Sequence, residues 1–250
     1  TQSSLTNGTL YYYRISAVDN AGNESSKTSD VSSLPHATDG NYSISFDGSN
    51  DNILISNQSS ATTVFGNNIS VSIWAMATGG AGTERYIITN GGPSDDGYML
   101  LANTDNKFKG ILDVTGSRMA QVTGSTTISL NTWYHIALVY NASSLKLYVN
   151  GQLDGENSSA SGEVVDPVEN STMYIGSRQN PDKYFSGKID EFSIWDDALT
   201  SSEITALYNS GTPIDASSNS GNYTSSADLN GYWRFNENSG TTAYDLSGNG

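Results

Sequence analysis

Apolar and polar residues alternate along this chain in short runs. Tyr11, Tyr13, Ile15 and Ala17 fall on one face of an extended segment, with Tyr12, Arg14 and Ser16 on the other. Asp19-Asn20-Ala21-Gly22-Asn23 supplies turn chemistry, and a second short stretch follows through Val31. One hairpin cannot bury a face alone, so residues 1–34 read as the end of a unit whose beginning lies outside the sequence. Both termini fall in polar stretches, and the sequence is expected to be a window of a longer chain.

After a short linker at 35–40, strand-like runs recur between clusters of Gly, Asn, Asp and Ser. Tyr42–Phe46 and Ile53–Ile55 flank Asp47-Gly48-Ser49-Asn50-Asp51, which lacks the Gly and Glu spacing of an EF-hand loop. Ile69, Val71, Ile73 and Ala75 alternate with Ser70, Ser72, Trp74 and Met76. Further runs are Tyr86–Thr89, Tyr98–Ala102, Phe108–Val114, Arg118–Val122, Trp133–Tyr140, Leu145–Val149, Met173–Ile175, Lys188–Trp195 and a strand at 231–236. Leu145–Val149 leads into Asn150-Gly151, which suits a type I′ hairpin turn. Thr200-Ser201-Ser202-Glu203 reads as a capping box, and Ile204, Leu207 and Tyr208 follow at helical spacing, with Gly211 as the stop. Many short antiparallel runs and one short helix predict an all-β fold, a two-sheet sandwich or jelly roll.

Composition narrows the function. Eleven Lys and Arg against 26 Asp and Glu give a net charge of −15. No basic stripe exists to track a phosphate backbone, and an anionic membrane surface would repel the chain, so nucleic-acid binding and membrane insertion are not expected. The chain has no Cys, which excludes thiolate zinc sites, thiol nucleophiles and disulfides.

Several motifs carry a family resemblance. Ser45-Phe46-Asp47-Gly48, Ile69-Ser70-Val71-Ser72-Ile73-Trp74, Trp133-Tyr134-His135-Ile136-Ala137, Leu147-Tyr148-Val149-Asn150-Gly151 and Gly187–Trp195 occur in that order, followed by Ala198-Leu199-Thr200 and Glu203-Ile204. Together they resemble the laminin G-like, concanavalin A-like jelly roll of surface proteins. The resemblance spans residues 41–212, with 213–250 a linker and strand that completes this domain or opens a next repeat. Leu5–Asp19 resembles the last strands of a fibronectin type III domain, an immunoglobulin-like unit, which would make Tyr11 the tyrosine-corner residue with its hydroxyl near Leu5. Such a family implies an extracellular, secreted or cell-surface multidomain protein with a glycan or protein ligand and neighbouring domains as partners.

Candidate chemistry is sparse. The related glucanases place Glu-x-Asp-x-x-Glu on one inner strand, and no such triplet occurs here; Asp190 and Glu191 are adjacent and expected on opposite faces. His36 lies in the linker and His135 in a core-like strand, so no enzyme is expected. The resemblance also implies a structural Ca2+ between the Phe46-Asp47-Gly48 loop and the closing strand, with Asp47 and Asp190 as ligands and Asp190 sharing the inward face of Phe192 and Ile194. Capping of loop N–H groups is the alternative role for both. Tyr86, Tyr98, Tyr184 and Trp195 are aromatics that could stack on sugars, set against core packing for each. Asn41, Asn57, Asn68 and Asn141 begin glycosylation sequons that an Asn/Ser/Thr-rich chain produces by chance. Asp95, Asp96 and Asp196, Asp197 read as turn residues. The expected role is non-catalytic recognition or adhesion; a spacer, or an accessory region of a glycoside hydrolase, is the alternative.

Overall fold

The computed structural model describes residues 11–29, 31–33, 42–55, 66–91, 97–165, 172–178 and 182–249. Two compact units emerge, one of residues 1–42 and 236–242, the other of residues 43–235 and 243–250. The first holds β1 (Tyr11–Tyr13) and β2 (Val31–Ser33), paired antiparallel with Tyr12 opposite Ser32. Asp19 forms the turn expected of it: Oδ1 accepts from the N–H groups of Ala21 and Asn23 at 2.9 Å, and Gly22 takes φ +86°. Leu5, the partner expected for Tyr11, lies outside the described residues, as do His36, Asn41, Asn57, Asp95 and Asp96.

The second unit contains β3 (Ile44–Asp47), β4 (Ile53–Ile55), β5 (Asn68–Ala77), β6 (Arg85–Asn90), β7 (Tyr98–Ala102), β8 (Lys107–Val114), β9 (Ser117–Thr127) and β10 (Trp133–Asn141). It continues with β11 (Leu145–Val149), β12 (Gln152–Asn157), β13 (Met173–Ile175), β14 (Ser186–Trp195), helix α1 (Ser201–Tyr208) and β15 (Leu229–Trp233). They form two antiparallel sheets, ordered β12-β11-β10-β5-β14-β15, with β3 also on β14, and β4-β13-β6-β7-β8-β9. The inward faces interleave: Val71, Ile73 and Ala75 of β5 and Ile136, Leu138 and Tyr140 of β10 enter the inter-sheet core, as their period of two requires. β15 pairs with β14, with Phe192 and Trp233 stacked 5.2 Å apart, so the strand after the helix is part of this sandwich.

The outer face of the seven-stranded sheet is also covered. Ala137, Val139, Tyr148 and Trp195 meet Ile204 and Leu207 of α1, together with Tyr223 and Leu229. The capping box forms as the sequence predicts: Thr200 Oγ1 accepts from the Glu203 N–H, and Glu203 Oε2 accepts from the Thr200 N–H at 3.0 Å. The helix ends earlier than Gly211, because Asn209 takes the left-handed conformation that Asn tolerates.

Asn150 (φ +51°) and Gly151 (φ +78°) adopt the two positive φ values of a type I′ turn. A Cβ on Gly151 would lie 3.1 Å from the Tyr208 ring and 3.3 Å from the Thr205 Cα. Gly151→Val should therefore cost about 1–3 kcal/mol through backbone strain, with displacement of α1 in addition. Urea denaturation checks this, and an unchanged midpoint would refute the packing of the turn beneath the helix.

Candidate functional site

The outer sheet face carries a groove between β11 and the first turns of α1. One hollow of about 250 Å³ is lined by Asn141, Ser144, Lys146, Tyr148, Leu199, Thr200 and Ser201. A second, of about 560 Å³, is lined by Lys146, Tyr148, Gly151, Gln152, Leu153, Ser201, Ser202, Thr205 and Asn222. They share Lys146, Tyr148 and Ser201, so they form one continuous depression.

Local structure explains each lining group. Lys146 and Tyr148 stand two apart on β11 and project from the face opposite Leu145, Leu147 and Val149, which enter the core. A bulge between Leu147 and Tyr148 sets Tyr148 opposite Leu153, whose side chain is 52% exposed. Asp154, the extra residue, instead accepts hydrogen bonds from Ser125 Oγ and Thr126 Oγ1 of β9, both at 2.7 Å, tying the edges of the two sheets together. Across the groove, Thr205 Oγ1 lies 3.0 Å from the Gly151 carbonyl and 2.8 Å from the Ser201 carbonyl, so its one proton is shared between the hairpin turn and α1. Glu203 anchors the segment that carries Asn222: its Oε1 accepts from the Thr224 N–H (3.2 Å), Thr224 Oγ1 (3.0 Å) and Ser225 Oγ (2.7 Å). Burial opposes ionisation of Glu203, but the hydrogen bonds from Thr200, Thr224 and Ser225 outweigh it and hold the carboxyl near 2. The groove is rich in hydroxyl and amide groups, set beside apolar Val139, Leu153, Ala198 and Leu199.

The sequence-derived residues fall elsewhere. Asp47 Oδ1 accepts from the Ser49 N–H at 2.7 Å, and Asp51 Oδ2 from the Asp47 N–H at 2.8 Å, so the loop caps itself. Asp190 is buried, and its Oδ1 accepts from the Glu191 N–H at 2.9 Å. Its expected inward orientation is corrected by a β-bulge. Ile189 pairs with Ala75 and Asp190 with Trp74, but Ser193 pairs with Ser72, so one extra residue enters β14 at Glu191 (φ +49°). Asp190 thus shares the outer face of Trp74, while Phe192 and Ile194 face the core. Asp47 lies opposite Ser186, four residues from Asp190 along β14, about 13 Å at ~3.3 Å per residue. Calcium–oxygen bonds of ~2.3–2.6 Å cannot bridge that gap, so the pair does not fit one shared ion. Among the described residues no group of three or more His, Cys, Asp or Glu is placed to hold a metal.

The bulge also undoes the opposite-face expectation for Glu191. Its carboxylate accepts from Arg234 Nε at 2.9 Å and from the Tyr232 hydroxyl, whose ring packs on the helix side of the sheet. Burial pushes the Glu191 pKa up against the pull of Tyr232 and Arg234. His135 is buried against Trp74 (5.4 Å) and Tyr208 (6.2 Å), and its Nε2 lies 2.7 Å from Ser72 Oγ. No carboxylate bonds its Nδ1 among the described residues, so the Ser–His pair lacks the orienting acid of a triad. Of the four aromatics, Tyr98 and Trp195 are core residues, the latter donating Nε1–H to the Tyr223 hydroxyl at 2.8 Å. Tyr86 lies buried beneath Arg178 and Lys183, and Tyr184 is half-buried. Asn141 Oδ1 is occupied by the Ser144 N–H at 3.0 Å.

Relatives place the fold. The family model described as the concanavalin A-like lectin/glucanases superfamily matches residues 46–205. No curated protein matches the chain. Among solved structures, a candidate carbohydrate-binding protein from Bacteroides ovatus is similar over 98% of this chain and 67% of its own, with 16% identity and a TM-score of 0.61. A heptameric SAP-like pentraxin from Limulus polyphemus covers 66% of this chain and 81% of its own (19% identity, TM-score 0.52). The botulinum neurotoxin serotype D ligand-binding domain in complex with N-acetylneuraminic acid aligns over 70% of this chain (20% identity, TM-score 0.52). This chain spans under half of that toxin domain, 47%. At these identities the likeness is one of fold.

Proposed function

The chain belongs to the concanavalin A-like lectin/glucanases superfamily, and from that premise we propose that it is a non-catalytic recognition module that binds carbohydrate in the groove beside α1. The observation that carries this reading is the lining itself. Hydroxyl and amide side chains, which both donate and accept, line a continuous depression beside the exposed Leu153, the chemistry that sugar hydroxyls and C–H faces require. A carbohydrate-binding description of the Bacteroides ovatus structure and a sugar-bound toxin domain of the same fold support it.

Glycosidase chemistry is disfavoured by the placement of the acids. Asp190 and Glu191 are adjacent and buried, with Glu191 closed in by Tyr232 and Arg234, whereas glycosidases space two carboxylates across an open cleft. Purified protein should release no reducing ends from β-glucans; activity lost on substituting a single carboxylate would refute the module reading. We place the module outside the cell in a secreted or surface protein of several domains, with residues 1–34 as the end of a fibronectin type III unit. The deciding experiment is a glycan array probed with the whole chain, with calcium and again with EGTA. Specific sugars that lose signal in Asn222→Ala support the groove. A blank array under both conditions overturns carbohydrate binding.

A further inference from the structure

We infer that the groove accepts an uncharged, extended saccharide chain and that Glu156 enforces this preference by neutralising Lys146. The inference rests on the carbohydrate reading above and adds the ligand class. Among the described residues Lys146 is the one charged side chain lining either hollow. It pairs across β11 and β12 with Glu156, and its Nζ lies 3.7 Å from Glu156 Oε1. Both side chains are partly exposed, at 30% and 39%, so the pair adds little to stability. Its consequence falls on an incoming anion, which meets a cation already matched at close range, within a chain of net charge −15.

Shape supplies the other half of the inference. The groove follows β11, whose five residues span about 16 Å at ~3.3 Å each, room for several sugar rings in file. Leu153, 52% exposed opposite the buried Tyr148, offers an apolar patch for a ring face. Gln152 and Ser202 flank it with amide and hydroxyl groups.

The test is calorimetric titration of the intact chain with neutral glucan and mannan oligosaccharides and with heparin-derived sulfated oligosaccharides, at low and high salt. The wild type should bind a neutral chain, longer better than shorter, and leave the sulfated ones free. Gln152→Ala and Asn222→Ala should each weaken neutral binding about tenfold, one hydrogen bond's worth. Glu156→Gln, which keeps the shape and frees the Lys146 charge, should gain sulfated-oligosaccharide binding at least tenfold at low salt, and lose that gain at high salt. Equal wild-type affinity for sulfated and neutral chains, or no gain in Glu156→Gln, overturns the assignment of Glu156. Neutral binding untouched by the groove variants overturns this inference while leaving carbohydrate binding intact. No binding of any oligosaccharide, joined to a blank array, overturns both.

Discussion

Acidification from pH 7 to 4.5 will destabilise the sandwich by about 3 kcal/mol through His135 alone. Burial holds the His135 pKa down to about 3, against an ordinary value of 6.5. The folded protein therefore keeps the ring neutral while the unfolded chain takes up a proton below pH 6.5. Stability from this residue is fully present above pH 6.5 and drains away as the pH falls toward 3, at about 1.4 kcal/mol per pH unit. Glu191 works the other way: burial raises its pKa, so its contribution grows as the pH falls toward the ordinary carboxylate range. The reason for the His135 shift is geometric. The ring is 1% exposed between Trp74 and Tyr208, its Nε2 meets Ser72 Oγ, and among the described residues no acid bonds Nδ1 to share a positive charge. Chemical denaturation at half-unit pH intervals measures the slope. His135→Gln will lower stability at pH 7 yet flatten the dependence between pH 7 and 4.5. A variant slope equal to that of the wild type would mean His135 does not titrate differently in the two states.

This histidine also shows how much of the molecule was legible in the sequence. Its strand follows from the alternation of Tyr134, Ile136 and Leu138, and its burial from that context. Its ring partners do not, because Tyr208 reaches it only through the placement of α1 over the β10–β11 hairpin. Strands with strict period-two patterns, such as β5 and β10, were readable almost to their ends. The capping box at Thr200 was readable in full, because its two hydrogen bonds are local. Alternation misplaces Asp190 because it assumes a regular strand, and the extra residue at Glu191 inverts the faces beyond it. The groove left no trace along the chain. Its uncharged polar lining is Ser, Thr, Asn and Gln in a sequence full of them, and only the β11–β12 register and the anchored segment near Asn222 bring them together.

Glu203→Ala will lower the melting temperature by about 10 °C and weaken ligand binding in the groove together. Glu203 is 4% exposed and accepts from backbone N–H groups of Thr200 and Thr224 and from the hydroxyls of Thr200, Thr224 and Ser225. Truncation removes the carboxylate half of the capping box and leaves those donors facing one another without an acceptor, a loss of about 3–4 kcal/mol. The lowered pKa of the same carboxyl implies a consistent magnitude. A pKa near 2 against an ordinary 4.5 is worth about 3 kcal/mol, present above pH 4.5 and lost as the pH falls toward 2. At ~2–4 °C per kcal/mol for a domain of this size, the fall in melting temperature follows. The effect on binding comes from position rather than contact. Without the carboxylate, the first turn of α1 and the Thr224–Ser225 segment lose their common anchor, so Ser201, Ser202 and Asn222 no longer hold their spacing across the groove. Glu203→Gln separates the two losses. The amide keeps one acceptor oxygen and should recover roughly half of the stability while presenting an NH2 group to hydroxyls that can reorient. Melting and titration of the three proteins at pH 7 decide the matter. A Glu203→Ala protein that melts with the wild type would remove this network from the account of how the helix is held.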